Sequence, residues 1–239
     1  MDNVRIAVDV GGTFTDIALE HAEGMATKKV LTTPDKPEHG VLSGIRSTLT
    51  ESYISPSEIN ILIHGTTLAT NALIERKGAK VALITTEGLR DSVEMAQENR
   101  FEQYDINIDR PKPLVPRYLR WGIRERMNVN GEVLIQLEDK SIEQLLPMID
   151  KNQIEAIAIG LIHSYANSMH EEKIAERLSA ARPDLSITLS SQVCPEIREY
   201  ERQSTACANA YVQPLMSRYL TKLDEALQSM GFMLSLIHI

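Results

Sequence analysis

Apolar and polar positions alternate from Val4 to Val10, with Val4, Ile6, Val8 and Val10 on one side and Arg5, Ala7 and Asp9 on the other. A period of two predicts a strand with one buried face. Gly11-Gly12 interrupts it, and an extended pattern resumes at Ile17-Ala18-Leu19. Lys28 to Thr32 is a third candidate strand, ended by Pro34 and Pro37. Val41, Leu42, Ile45 and Leu49 then share one face of a helix. Ile61-Leu62-Ile63 reads as a buried strand, Thr66 to Lys77 as a helix closed by Gly78, and Val81 to Ile84 as another apolar strand.

The element order is therefore β-β-β-α-β-α-β. It lacks the strict strand-helix alternation of a dinucleotide-binding domain. Three leading strands joined by tight turns, then helix and strand in alternation, predict an α/β fold with a ribonuclease-H-like core. Residues 97–120 have no apolar period and carry Asp105, Asp109, Arg110, Pro111, Pro113, Pro116 and Arg117, which predicts a long ordered loop. Trp121–Met127 and Val133–Leu137 flank Asn128-Val129-Asn130-Gly131, and the Asn-Gly pair predicts a hairpin. A helix near Ile142–Ile149, a strand Ala156–Ile162, a helix Met169–Ala181 and a strand Ile187–Leu189 follow. A long helix from about Arg202 to Met230 closes the chain, with a bend or break expected at Pro214. Residues 1–230 are expected to form one domain, with the loop and hairpin of about 97–137 inserted in it.

Charge narrows the function. Lys and Arg total 25 against 33 Asp and Glu, a formal net charge of −8, which argues against a nucleic-acid binder. A small anionic ligand stays open, because backbone amides can supply a local positive potential. No apolar run approaches the roughly 20 residues of a membrane span. Cys194 and Cys207 make no CxxC and no zinc spacing, so they read as reduced thiols and the expected compartment is the cytoplasm.

The sharpest signal is Asp9-Val10-Gly11-Gly12-Thr13-Phe14-Thr15-Asp16. A strand carries Asp9 to its end, two glycines let the backbone turn with its amides exposed, and Asp16 begins the return strand. Such a tip suits phosphate, with the amides and the Thr13 and Thr15 hydroxyls as donors and the carboxylates placed for a hydrated Mg2+. Neither GxxxxGK[ST] nor a GxGxxG leading into a helix is present. His64-Gly65-Thr66-Thr67 ends a strand and opens a helix, so it reads either as a cleft lining or as a helix cap beside a buried histidine. His163 reads as structural, and His170 with Glu171 and Glu172 as a solvated helix start. Arg117 and Arg120 read equally as anion contacts or as an ion-paired loop.

Asp-x-Gly-Gly-Thr-x-Thr-Asp resembles the first phosphate loop of the actin-like ATPase and sugar-kinase superfamily, and its Gly-Gly-Thr-Phe-Thr-Asp form resembles the hydantoinase A/5-oxoprolinase family, which includes acetone carboxylase subunits. Three further blocks agree: His64–Asn71 with Glu75-Arg76-Lys77-Gly78-Ala79, Arg110–Arg117, and Glu199–Thr205 with Asn209-Ala210-Tyr211-Val212. The resemblance implies an ATP-dependent amidohydrolase that opens a hydantoin or 5-oxoproline ring after phosphorylating its carbonyl oxygen. The cofactors implied are ATP and Mg2+. Gly11, Gly12, Thr13 and Thr15 would hold phosphates, Thr66 and Thr67 would line the nucleotide cleft, and Asp9 and Asp16 would act on magnesium or its waters. Partners implied are a cyclic amide and a second subunit of the hydantoinase B type, with no nucleic acid and no membrane. The same loop would serve a ketone carboxylase subunit or a non-catalytic ATPase regulator.

Family members are several times longer and carry a second Gly-Gly-Thr-x-x-Asp block, which this sequence lacks. The second nucleotide-binding domain is accordingly expected to be absent and the chain alone to turn over little. Residues 234–239, Leu-Ser-Leu-Ile-His-Ile, match a translated transposon-end adapter. They are expected to be a non-native tail, exposed or loosely packed.

Overall fold

The structure, a computed structural model, describes residues 4–33, 35–97, 102, 104–233 and 237–238. In chain order the elements are β1 (Val4–Val10), β2 (Phe14–His21), β3 (Gly24–Leu31), α1 (Pro37–Glu51), β4 (Ile59–Thr66), α2 (Leu68–Ile74), β5 (Val81–Thr86) and α3 (Ser92–Met95). Then come β6 (Arg120–Ile123), β7 (Arg126–Met127), β8 (Val133–Ile135), α4 (Asp139–Glu143), α5 (Leu146–Asn152), β9 (Ala156–Gly160), α6 (Met169–Ala181) and β10 (Ser186–Leu189). The last are α7 (Ser190–Val193), α8 (Glu199–Ser229) and β11 (Ile237–His238). The chain divides into two compact units, residues 1–77 with 215–239, and residues 78–214.

The first unit is built on a five-stranded sheet of order β11-β4-β1-β2-β3. β1–β2 and β2–β3 are antiparallel hairpins, and β4 runs parallel to β1. The alternation read from the sequence decides its faces. Ile6, Val8, Val10, Ile17 and Leu19 are buried with Val41, Ile45 and Leu49 of α1 and with Tyr219, Leu223 and Leu227 of α8. Each such side chain stabilises the fold by about 1.5–3 kcal/mol. Gly44 lets α1 lie close to the sheet, since a Cβ there would fall 2.1 Å from Ile17 Cδ1.

The second unit holds a four-stranded sheet of order β10-β9-β5-β6, parallel throughout. β5 and β9 are buried along their whole length, as strands covered on both faces must be. That cover explains a departure from the expected order. Val81–Thr86 does follow α2, yet it leaves the first sheet, because Val81-Ala82-Leu83-Ile84 has no polar alternate to turn toward solvent. The predicted strand Trp121–Met127 is also divided. Its first half, β6, joins β5, and only Arg126-Met127 pairs with β8 across the Asn-Gly turn. There Asn128 Oδ1 accepts the amides of Asn130 and Glu132, and Gly131 takes φ 80°. The predicted helix Ile142–Ile149 is two short helices, the second with Pro147 in its first turn.

Three helix features differ from expectation or bear it out for physical reasons. α2 stops at Ile74 because Arg76, not Gly78, takes the left-handed conformation, with Lys77 N–H donating to Ala72 O at 2.9 Å. Gly78 serves instead to admit Tyr211, whose ring would lie 2.1 Å from an added Cβ. α8 runs unbroken through Pro214, where the division between the two units falls. Its C-terminal end is as read: Gly231 has φ 94° and Phe232 N–H reaches back to Leu227 O at 3.2 Å. In the tail, Ile237 and His238 pair in parallel with Ile63 and His64 rather than lying loose. A ladder uses backbone groups only, so the open edge of β4 accepts any extended segment. Residues 234–236 and 239 lie outside the described residues.

Cys207 is buried on α8, and burial pushes its thiol up to about 12, while Cys194 is half-buried. A disulfide reagent at about pH 8 is expected to titrate one thiol in the folded chain and both in denaturant, since only an accessible thiolate reacts. Two fast thiols in the folded chain would contradict this packing.

Candidate functional site

The β1–β2 turn positions most of the residues singled out in the sequence. Gly11 N–H donates to Phe14 O at 3.0 Å and closes the tip. A Cβ on Gly11 would lie 2.9 Å from that same oxygen, so only glycine fits. Gly12 is different: a Cβ there would meet only Asn71 Nδ2, at 3.4 Å. The loop is tied down by Thr32, whose amide donates to Thr13 O at 2.9 Å and whose hydroxyl donates to Gly11 O at 2.9 Å.

Asp9 and Asp16 are direct partners in the β1–β2 ladder, and Asp9 is also paired with Gly65 of β4. Both carboxylates therefore stand on the sheet face away from α1, in a cavity of about 700 Å³ that Ala7, Ala18, Lys29 and Gly65 also line. A Cβ at Gly65 would lie 3.6 Å from Asp9 Oδ1, in ordinary contact with it. The motif gives no sign of Lys29. It sits opposite Asp16 in the β2–β3 ladder, with Nζ 2.9 Å from Asp16 Oδ1 and 5.2 Å from the centre of the Phe14 ring. Counting register through two hairpins could have found it.

Thr13 is exposed at the tip, whereas Thr15 is fully buried, its hydroxyl 3.0 Å from that of Thr32. The pleat explains this: neighbours in a strand point to opposite faces, so Thr15 cannot share the face of Asp16. Its hydroxyl braces the loop from the core side.

The second block comes to the same place. Thr67 N–H donates to Val10 O at 3.2 Å, and the Thr66 and Thr67 hydroxyls donate to the same oxygen at 3.3 and 3.4 Å. Thr66 Oγ1 also accepts Leu68 N–H at 3.1 Å, while Thr67, at the N-cap position of α2, makes no side-chain cap. His64 is fully buried with Nε2 2.6 Å from the Tyr219 hydroxyl. Burial raises the Tyr219 phenol above its usual range.

Outside this site, Arg117 makes a two-pronged pair with Asp91 at 2.8 and 2.9 Å, and buried Arg120 pairs with Glu94 at 2.6 Å, so both belong to an ion-paired loop. His163 is half-buried, with φ 54°. Of the expected solvated start of α6, Glu172 is exposed, but His170 and Glu171 are deeply buried. His170 Nδ1 lies 2.8 Å from Glu125 Oε2, and Glu125 Oε1 accepts the Thr86 hydroxyl. Glu171 is fully buried; its Oε1 accepts Leu161 N–H at 3.0 Å and the Ser190 hydroxyl at 2.7 Å. Its Oε2 accepts the Ser191 amide and hydroxyl at 3.0 and 2.7 Å. The signal was faint: a His-Glu pair beside the small polar pair Ser190-Ser191, far apart in sequence.

The chain belongs to the hydantoinase/oxoprolinase family, whose N-terminal region matches residues 5–181. It is 34% identical over 234 residues to the caprolactamase subunit alpha of Pseudomonas jessenii, covering 95% of this chain and 34% of that protein. It is 30% identical over 250 residues to 5-oxoprolinase 1 of Arabidopsis thaliana, covering 91% of this chain and 19% of that protein. The crystal structure of the ATP-dependent caprolactamase from Pseudomonas jessenii superposes with a TM-score of 0.89 at 32% identity, over 98% of this chain and 35% of that one. The chain thus spans between about a fifth and a third of the length of these relatives.

Proposed function

We propose that this chain is the N-terminal, nucleotide-binding part of an ATP-dependent enzyme that opens a cyclic amide. The observation that carries the reading is the β1–β2 turn, with Gly11-Gly12 at its tip, Asp9 and Asp16 facing each other behind it, and Thr66-Thr67 bonded to Val10 beside it. An antiparallel β1-β2-β3 meander with β4 parallel to β1 supports a ribonuclease-H-like half-domain, in which such a turn meets phosphate. The amides of Gly12 and Thr13 and the Thr13 hydroxyl face the phosphates, with Gly11 closing the turn behind them and Thr15 supporting them from below. Two facing carboxylates suit an Mg2+ that keeps most of its own water, since this ion favours few protein ligands and resists dehydration. When bound, Mg2+ would supply charge neutralisation on the phosphates. Lys29 then holds Asp16 in place until the ion arrives, and can turn to a phosphate afterwards.

The chemistry has a simple logic. Phosphorylating the carbonyl oxygen at the expense of ATP would make the inert ring carbon electrophilic, so that water can add to it. The C–N bond can then break to open the ring, and the acyl phosphate left can release its phosphate to a second water. Phosphoryl transfer asks mainly for positioning and charge stabilisation, which a rigid hairpin tip supplies. The relative named as a subunit alpha supports a separate partner subunit, which we infer to be of the hydantoinase B type. In the full-length enzyme, release of phosphate should be stimulated by a cyclic amide in step with ring opening. Ring opening at full rate without ATP would refute the reading. Stimulation only by a ketone with bicarbonate would reassign the reaction to carboxylation.

A further inference from the structure

A side chain from outside the β1–β2 hairpin leans over its tip. Asn71 lies in α2, one helical turn beyond Thr67, to whose carbonyl its backbone N–H donates at 2.8 Å. Its side-chain amide turns back toward the loop. Nδ2 stands 3.3 Å from Thr67 Oγ1 and 3.4 Å from the place a Cβ on Gly12 would take. The motif around Asp9 and Asp16 gives no sign of this neighbour, because the pairing of β4 with β1 is what brings it there.

Thr67 decides which end of that amide faces the tip. Its hydroxyl proton goes to Val10 O at 3.4 Å, so its oxygen is left to accept, and only the nitrogen end of Asn71 can donate to it. A relay of Asn71, Thr67 and Val10 thus joins α2 to the end of β1. A primary amide carries two N–H groups and one carbonyl oxygen. One N–H is used on Thr67. The second makes no hydrogen bond among the described residues, and the side chain is half-buried, so that N–H is held in place yet open to a ligand.

Gly12 shows why this matters. It takes no backbone conformation that needs glycine, and among the described residues a Cβ there would come within 4 Å of nothing but Asn71 Nδ2. What glycine preserves is the space between the loop and that amide. The N–H groups of Gly12 and Thr13 donate to no backbone carbonyl among the described residues. Donors from the loop and from α2 therefore border one space. A phosphate suits it, because its oxygens accept several N–H groups at once and its charge strengthens each bond.

We propose that Asn71 is a further phosphate-binding residue, its second N–H donating to an oxygen of the phosphate that the Gly12 and Thr13 amides hold. The inference rests on the reading of the β1–β2 turn as a phosphate loop. The test is NMR titration of the full chain with Mg-ATP and with Mg-tripolyphosphate, which has the phosphates without the base. Asn71→Ala should weaken both ligands alike, by about tenfold, as the loss of one hydrogen bond to a charged group. Asn71→Asp keeps the size but sets a carboxylate beside the phosphate, and should weaken both by about a hundredfold or more. Thr67→Val breaks the relay and keeps the amide, so it should weaken them less than Asn71→Ala. Equal losses in Asn71→Ala and Asn71→Asp, or a larger loss in Thr67→Val than in Asn71→Ala, would reduce Asn71 to a brace and overturn the assignment. Gly12→Val separates this inference from the reading beneath it. Weakened Mg-ATP in Gly12→Val with parental affinity in both Asn71 variants sinks Asn71 alone. Parental affinity in Gly12→Val, or no Mg-ATP bound by the parent chain, sinks the phosphate loop and Asn71 with it.

Discussion

Glu171→Ala is expected to destabilise the second unit by about 3–5 kcal/mol, because several buried donors lose their acceptor at once. The glutamate sits with no exposed surface and accepts four hydrogen bonds, two from the backbone amides of Leu161 and Ser191 and two from the hydroxyls of Ser190 and Ser191. Alanine would leave all four donors in a cavity where water is scarce, and each unsatisfied donor costs about 1–3 kcal/mol before relaxation. Such a loss is a large share of the usual stability of a domain. Glu171→Gln keeps one acceptor and aims an amide at two donors, so its cost should fall between alanine and the parent. Trp121 is the sole tryptophan and is buried in β6, so its fluorescence during urea unfolding reports on this unit. Glu172→Ala is the internal control: its carboxylate accepts only the Ser168 hydroxyl at an exposed site, and its loss should cost less than about 1 kcal/mol. Equal midpoints for the two alanine variants would show that the buried network contributes nothing.

Gly12→Val should weaken Mg-ATP binding by about a hundredfold, the equivalent of losing two charge-assisted contacts. Geometry at the tip separates this effect from folding. A Cβ at Gly12 meets only the flexible end of Asn71, whereas one at Gly11 would strike the Phe14 carbonyl. Gly12→Val should therefore melt near the parent and Gly11→Val well below it. Asp16→Asn should be milder, about tenfold. It removes a carboxylate from the magnesium region, but it also frees Lys29 Nζ, now 2.9 Å from that carboxylate, to turn toward phosphate. The double variant Asp16→Asn with Lys29→Met should consequently bind more weakly than Asp16→Asn alone. NMR titration, which reads millimolar affinities, distinguishes these cases. Unchanged affinity in Gly12→Val would remove the phosphate-loop assignment.

Much of the candidate site is legible along the chain itself. Asp9, Gly11, Gly12 and Asp16 are close in sequence, and a two-residue period with a glycine break is enough to place both carboxylates at one turn and on one face. The same period, applied strictly, would have separated Thr15 from Asp16: the Thr15 hydroxyl, expected among the phosphate donors, is fully buried. Lys29 needed the register of two hairpins at once. The network of Thr86, Glu125 and His170 lay beyond such rules, because its members are brought together from β5, the segment before β7, and α6. A local reading of His-Glu-Glu at a helix start gives a solvated turn, since nothing nearby in sequence reveals the cover.

What the sequence determined by itself is what depends on neighbours along the chain: the strands of the first sheet, the turn with its two carboxylates, the Gly231 helix stop, and the family blocks that recur from Asp9 to Val212. What only the tertiary structure decided is where completed elements went. β5 left the first sheet for a parallel one, Trp121–Ile123 joined it, α8 passed unbroken through Pro214, and Glu171 was buried. Local patterns fix backbone conformation and which side of an element is apolar. The partner that covers that side is chosen by the whole molecule, through burial and hydrogen-bond satisfaction between residues that the sequence keeps far apart.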